Sequence, residues 1–151
     1  MLWYSWCVNP AAVTRSARSF VRWRRQFETG LEPIDQQHRE LFETLGQLAG
    51  AIETGAPRDQ LDEGLASLAQ HLIKHCQTEE TLMKEAGFSG RIVHANQHQD
   101  LVLGVRDLQY RRAKGQKLGL EAVELVREGL DHHICESDLA MAGYLKTLRA
   151  V

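Results

Sequence analysis

Residues 61–83 read LDEGLASLAQHLIKHCQTEETLM. Steps of three and four residues pick out Leu61, Leu65, Leu68, Leu72, His75, Glu79 and Leu82, the spacing that keeps side chains on one stripe of an α-helix. The leucines mark that stripe as a buried face, so the histidine and the glutamate on it belong to the interior as well. Burying such groups costs on the order of a few kcal/mol each unless they are paired or hold a metal.

The same anomaly recurs outward from this helix. Downstream, one stripe carries His94, His98, Leu101, Val105 and Leu108, and another carries Val123, Val126, Leu130, His133, Met141 and Leu148. Upstream, His38 lies one turn before Leu41 and Phe42 in a run that continues through Leu45, Leu48, Ala49 and Ile52. A lone histidine on an apolar face is usually a hydrogen-bonded core residue. Five of them and an acid, spread over the seams of four helices, are not explained that way.

Helix boundaries follow from local signals. Asp35 is placed as the N-cap of the first helix, which Gly55-Ala56-Pro57 ends. The second runs from about Pro57 to Ala86 and stops at Gly87. Ser89 and Gly90 open the third, which fades at Lys114-Gly115, and the fourth runs from about Leu118 to Leu148. Connections of a few residues make consecutive helices antiparallel neighbours. The expected fold is all-α, an up-down-up-down antiparallel four-helix bundle with an N-terminal extension. That topology carries His38, His75, Glu79, His94, His98, His133 and Asp138 to one end of the molecule. His133 and Asp138 stand five residues apart, which in a regular α-helix separates them by about 140°. Asp138 is therefore expected to reach in from the flank, a placement suited to a carboxylate that bridges two metals.

The chain has 151 residues, enough for one domain with a real core and few for two. Its 43% hydrophobic and 25% charged residues are ordinary for a soluble protein, and a net charge of −2 gives no reason to expect nucleic acid or an anionic membrane as partner. No apolar run approaches the roughly 18 to 20 residues that span a bilayer. Cys7, Cys76 and Cys135 form no CxxC pair, which argues against a disulfide framework or a zinc–thiolate site and for a reducing cytoplasm. Residues 1–27 hold five arginines, no acid and all three tryptophans. Residues 1–22 are read as a flexible extension and 23–151 as the domain.

The sequence Ile34-Asp35-Gln36-Gln37-His38-Arg39-Glu40-Leu41, followed by His75-xxx-Glu79-Glu80-xx-Met83, His94-xxx-His98 and His133-Ile134-xxx-Asp138, resembles the hemerythrin family, in particular its bacterial single-domain members. Trp23, Phe27 and Gly30 are similar to that family's lead-in, so the resemblance covers about residues 23–148. It implies two iron ions per chain with a bridging oxo or hydroxo group. His94, His98 and His133 serve one iron, His38 and His75 the other, and Glu79 and Asp138 bridge. Five nitrogens, four carboxylate oxygens and the shared hydroxide, counted once per metal, leave a single open octahedral position, on the iron with two histidines. Imidazole and carboxylate donors suit iron.

The chain departs from the family pattern at two positions in the ligand pocket. Cys76 stands where the family usually has Phe, and Gly129 where it usually has Trp, while Leu130 matches the family's pocket leucine. Either the pocket is looser, wetter and quicker to oxidise, or Phe88, Tyr144 or the Trp-rich N-terminus fills the space. His71 and His132 match no ligand position, and Cys76 and Cys135 are read as structural.

The function implied by the resemblance is reversible dioxygen binding for storage, delivery or sensing, by a monomer. A sensor, or a supplier of an oxygen-consuming enzyme, would act through a separate protein partner. The alternatives are a di-iron redox enzyme acting on peroxide, nitric oxide or dioxygen, an iron-binding or storage module, and a metal-free structural bundle. Ferritin-type oxidases carry Glu-x-x-His pairs and zincin-type hydrolases carry His-Glu-x-x-His; the chain contains neither.

Overall fold

Three glycines end three helices in the same way. In the computed structural model, which describes residues 21–149, Gly55, Gly87 and Gly115 have φ of +66°, +66° and +80°, a left-handed backbone that glycine adopts without a Cβ penalty. At each, the glycine N–H donates three residues back and the next N–H five residues back: Gly55 to Ile52 O and Ala56 to Ala51 O, Gly87 to Lys84 O and Phe88 to Met83 O, Gly115 to Arg112 O and Gln116 to Arg111 O. This paired bonding satisfies carbonyls that a helix end leaves open.

The helices so bounded are α1 (Glu32–Glu53), α2 (Arg58–Glu85) and α3 (Arg91–Ala113). The fourth rod comprises α4 (Leu120–His133), a π-helical turn (Ile134–Asp138) and α5 (Leu139–Arg149). α1 packs on α2, α2 on α3, α3 on α4, and α4 back on α1, which closes the four-helix bundle. Among the described residues no helix is long and apolar enough to cross a membrane.

α1 starts earlier than Asp35. Pro33 lies in its first turn, where a missing N–H costs nothing, and the cap position is Leu31, without a side-chain cap. Asp35 sits one turn inside, buried, and its carboxylate reaches back: Oδ1 accepts from Thr29 N at 2.7 Å and Thr29 Oγ1 at 2.8 Å, Oδ2 from Gly30 N at 3.0 Å. The expected N-cap thus fastens the lead-in to the helix. Lys146 Nζ donates to Thr29 O from α5 at 2.7 Å and ties the same lead-in to the fourth rod.

The core has two parts. The larger includes Phe27, Phe42, Leu45, Leu68, Leu72, Val105, Val126 and Leu130. The smaller is built from Leu31, Ile34, Met83, Met141, Ala142 and Leu145, with Phe88 and Tyr144 packed on it. The expected extension, residues 1–22, lies almost wholly outside the described residues; Val21, the first of them, is already buried in the larger cluster.

Candidate metal centre

Three of the four rods change cluster at a polar residue. On α1 it is His38, between Ile34 and Leu41; on α2, His75 and Glu79, between Leu72 and Met83; on the fourth rod, His133 and Asp138, between Leu130 and Met141. α3 contributes His94 and His98 one turn apart, ahead of Leu101. Helix period turns all of them but Asp138 inward, because they continue stripes of leucine, valine and methionine. None of the seven is more than 4% exposed.

The π turn supplies what a regular helix could not. Leu139 N–H bonds to Ile134 O, five residues back, so residues five apart lie nearly one above the other. His133 Nε2 and Asp138 Oδ1 are thereby 2.9 Å apart on one face. The expectation that Asp138 reaches in from the flank is corrected by this local change of pitch. Ser137 Oγ, within the turn, donates to Gln97 Oε1 and fastens it to α3.

All five rings aim Nε2 at the carboxylates. His94 Nε2 lies 3.1 Å from Glu79 Oε2, 3.0 Å from Asp138 Oδ1 and 3.1 Å from His133 Nε2. His98 Nε2 is 3.1 Å from Glu79 Oε2 and His38 Nε2 is 3.0 Å from Asp138 Oδ2. His75 Nε2 stands further off, at 3.5 Å from Glu79 Oε2 and 3.8 Å from Asp138 Oδ2. Two groups of donors result, Glu79, His94, His98, His133 and Asp138 in one, His38, His75, Glu79 and Asp138 in the other, with donor atoms within 4.8 Å of one another in each. Glu79 and Asp138 belong to both.

This cluster fits divalent cations on its own geometry. Donors adjacent in an octahedron with bonds of about 2.1 Å stand about 3.0 Å apart, which is the spacing around His94. Glu79 Oε1 is buried with no hydrogen-bond partner, a lone pair left for another ligand. The electrostatics agree. Burial and Asp138 push the Glu79 carboxyl up, yet His75, His94 and His98 outweigh them and hold it below the usual range. Asp138 is held well below its ordinary value: burial opposes ionisation, but hydrogen bonds from His133, His38 and His94 prevail. Two carboxylates therefore stay charged in a dry interior. Burial pulls His75 down to about 4 against the attraction of Glu79 and Asp138. His94 rises to about 9, because its hydrogen bonds to Asp138 and Glu79 overcome the effect of burial. Its proton partly offsets the carboxylates, and a cation offsets them better.

Comparison with known proteins places the chain in a family. The model of the hemerythrin HHE cation binding domain matches residues 29–145. The chain belongs to the hemerythrin family. It is 29% identical over 127 residues to a bacteriohemerythrin of Pseudomonas aeruginosa (strain LESB58), covering 84% of this chain and 80% of the relative. A bacteriohemerythrin of Methylococcus capsulatus is 28% identical over 114 residues, 75% of this chain and 86% of that one. A crystal structure of wild-type hemerythrin superposes with a TM-score of 0.77 at 27% identity, over 82% of this chain and 96% of that one.

Against the hemerythrin pattern, the two substituted positions have distinct surroundings. Cys76 is buried within the larger core cluster, and burial, then Glu79 and Glu80, push its thiol up, so it stays protonated. Leu130 is buried in the same cluster, and Gly129 beside it is half-buried. Of the aromatics expected as fillers, Phe88 and Tyr144 pair at 5.3 Å in the smaller cluster instead. Trp23 lies 5.8 Å from the His38 ring and 5.9 Å from Phe42, and Phe27 stacks on Phe42 at 5.1 Å. The lead-in thus roofs the His38 side of the centre. His71 stays apart, its Nδ1 bonded to Thr44 Oγ1 at 2.8 Å between α2 and α1. His132 and Cys135 are exposed.

Sequence reading assigned Glu80 no role. Its Oε1 lies 3.0 Å from His98 Nδ1, on the outer side of a ring whose inner nitrogen faces the cluster. The available signal was an acid next to Glu79 on the helix neighbouring His98.

Proposed function

We propose that this chain holds two iron ions and binds dioxygen reversibly at them. The observation that carries the reading is the sharing of Glu79 and Asp138 by two groups of buried donors. In this reading His94, His98 and His133 serve one iron, His38 and His75 the other, and both carboxylates bridge together with an oxo or hydroxo group. Imidazole and carboxylate suit iron, and Cys76, the nearby thiol among the described residues, is protonated. When bound, the pair supplies two reducible ions that together lend electrons to dioxygen and take them back.

The chain's own residues do the rest. Five imidazoles from four rods fix the ligand sphere, so the packing of the bundle holds it in place. The apolar clusters on either side exclude water, and Trp23 covers His38. Leu130, Cys76 and Gly129 are proposed to line the space a gas molecule enters, and residues 23–151 to form the di-iron domain. Cys76 and Cys135 are unpaired, in keeping with a reducing cytoplasm. Storage needs no further protein; delivery or sensing needs a protein partner, for which a monomer of this kind is free.

The test is optical. The purified, iron-counted protein is reduced without air, exposed to dioxygen, and then depleted of the gas. Two irons per chain and a charge-transfer band that comes and goes with the gas support the reading. A band that forms once and decays to a ferric spectrum overturns reversibility in favour of a redox enzyme, with the small side chains at 76 and 129 as the suspected cause.

A further inference from the structure

His98 differs from its neighbours in what holds its outer edge. Its Nε2 faces Glu79 Oε2 at 3.1 Å, while its Nδ1 meets Glu80 Oε1 at 3.0 Å. The outer nitrogens of His38, His75 and His94 are buried without a hydrogen-bond partner among the described residues. Glu80 follows Glu79 on α2, about 100° further around the helix. One turn therefore presents a buried donor inward and a second carboxylate toward α3. That second carboxylate is 45% exposed and lines a surface groove with Gln77, Lys84 and Arg91. Glu80 accordingly links a fully buried donor cluster to water.

A neutral imidazole carries its proton on one nitrogen or the other. For Nε2 to give its lone pair to a metal, the proton must sit on Nδ1. A carboxylate that accepts the Nδ1–H bond fixes that tautomer, locks the ring's orientation and makes Nε2 a stronger donor. We propose that Glu80 is the positioning residue for His98 and strengthens the three-histidine metal position alone. This rests on the two-metal reading above. It makes the two positions unequal: the metal on His94, His98 and His133 is held more tightly than its neighbour.

The experiment compares the full chain with Glu80→Ala, Glu80→Gln and, as a charge control, Glu85→Ala, which alters an exposed residue of the same helix. Ferrous iron is loaded without air and withdrawn by a competing chelator. In Glu80→Ala one of the two metals is expected to bind about 10- to 100-fold more weakly, the effect typical of losing such a partner, while the other is unchanged. Glu80→Gln, whose amide oxygen still accepts from Nδ1–H, recovers most of the loss, and Glu85→Ala matches the parent. Ring ¹⁵N–¹H correlations of His98 in the metal-free proteins report the outer bond directly: an Nδ1–H protected from exchange in the parent and Glu80→Gln, and lost to exchange in Glu80→Ala. Unchanged affinities and an unchanged Nδ1–H signal in a Glu80→Ala protein of parental helical content overturn the proposal, as does equal weakening of both metals. A parent that holds fewer than two irons overturns the two-metal reading instead, and the metal-free Nδ1–H measurement then still decides the role of Glu80.

Discussion

His94 is the ring on which both carboxylates converge, at 3.1 Å from Glu79 and 3.0 Å from Asp138. Those bonds, set against burial, raise it to about 9 from an ordinary 6.5, so the metal-free protein keeps it protonated at neutral pH. A metal needs the bare nitrogen, so metal uptake at pH 7 is expected to release a proton, and apparent affinity to rise with pH until about 9. Calorimetry in buffers of different ionisation enthalpy measures that proton; uptake with none released contradicts it. The same shifts set the stability of the metal-free protein. The raised pKa of His94 stabilises fully below 6.5, and this is lost as pH climbs through 9. His75, lowered by burial from 6.5 to about 4, stabilises fully above 6.5, and this is lost as pH falls through 4. Glu79 and Asp138, both lowered, add stability above their ordinary values of 4.5 and 3.8 that is lost in stronger acid. Thermal melts of the metal-free protein should therefore peak near pH 6.5. A second expectation concerns sharing: Glu79→Ala should lose both metals, whereas His38→Ala should keep one, as read by metal analysis after gel filtration. The candidate donors were legible in sequence because a polar side chain on a leucine stripe is costly and therefore conspicuous. Glu80 was not, since an exposed acid on a helix breaks no rule, and its partner lies 18 residues away. Nor could sequence show that Asp35 would turn back onto Thr29 and Gly30, since an aspartate near a helix start is an equally good N-cap.

At the scale of elements, the π turn carries one residue more than an α-turn would need. Shortening the stretch Ile134–Ser137 by one residue leaves His133 and the aspartate four apart, within about 40° of each other, with Met141 and Leu145 still facing the smaller cluster. Adding one residue there instead swings the aspartate and α5 by about 100°. Deletion of Cys135 is thus expected to be the milder change and insertion of Ala after Cys135 the severe one, costing both metal content and melting temperature. Equal damage from both would show that the turn does not act as a single extra residue. Four helices, their order and their glycine ends were readable in the sequence, because leucine spacing and Gly55, Gly87 and Gly115 are local signals. The π turn was not, because the reading assumed a constant 3.6 residues per turn, although the five-residue gap from His133 to Asp138 was its visible trace. Glycines divide by the same logic. Gly87 has a positive φ and open space around it, so Gly87→Ala should cost about 1 kcal/mol through backbone strain alone. Gly143 lies in α5, exposed, with nothing within 4 Å of an added Cβ, and Gly143→Ala should gain up to about 1 kcal/mol. Denaturant melts of the two variants should move in opposite directions.

For the whole molecule, the donor layer divides the interior. The larger core runs along most of the bundle and includes Leu45, Leu68, Val105 and Val126. Beyond the donors, the smaller cluster holds the start of α1, the end of α2 and α5 together, helped by Tyr144 Oη donating to Ala86 O at 3.0 Å and by Lys146 on Thr29 O. Two ionised carboxylates and five imidazoles at that boundary bind the two parts only while something offsets their charge. A metal bound at 100 times its Kd adds about 2.7 kcal/mol per site to the folded state. Because the ligands of the two sites together come from all four rods, that stabilisation falls on the junction itself. Removing the metal should therefore loosen the molecule unevenly. Hydrogen exchange on the loaded and metal-free chain is expected to show protection lost first in α5 and in the first turns of α1, while the helices around Leu68 and Val105 keep theirs. This follows from local opening in proportion to buried apolar contact, of which the smaller cluster has far less. If protection instead falls by the same factor along every helix, the donor layer does not separate two stability regions, and the two clusters fold and unfold as one.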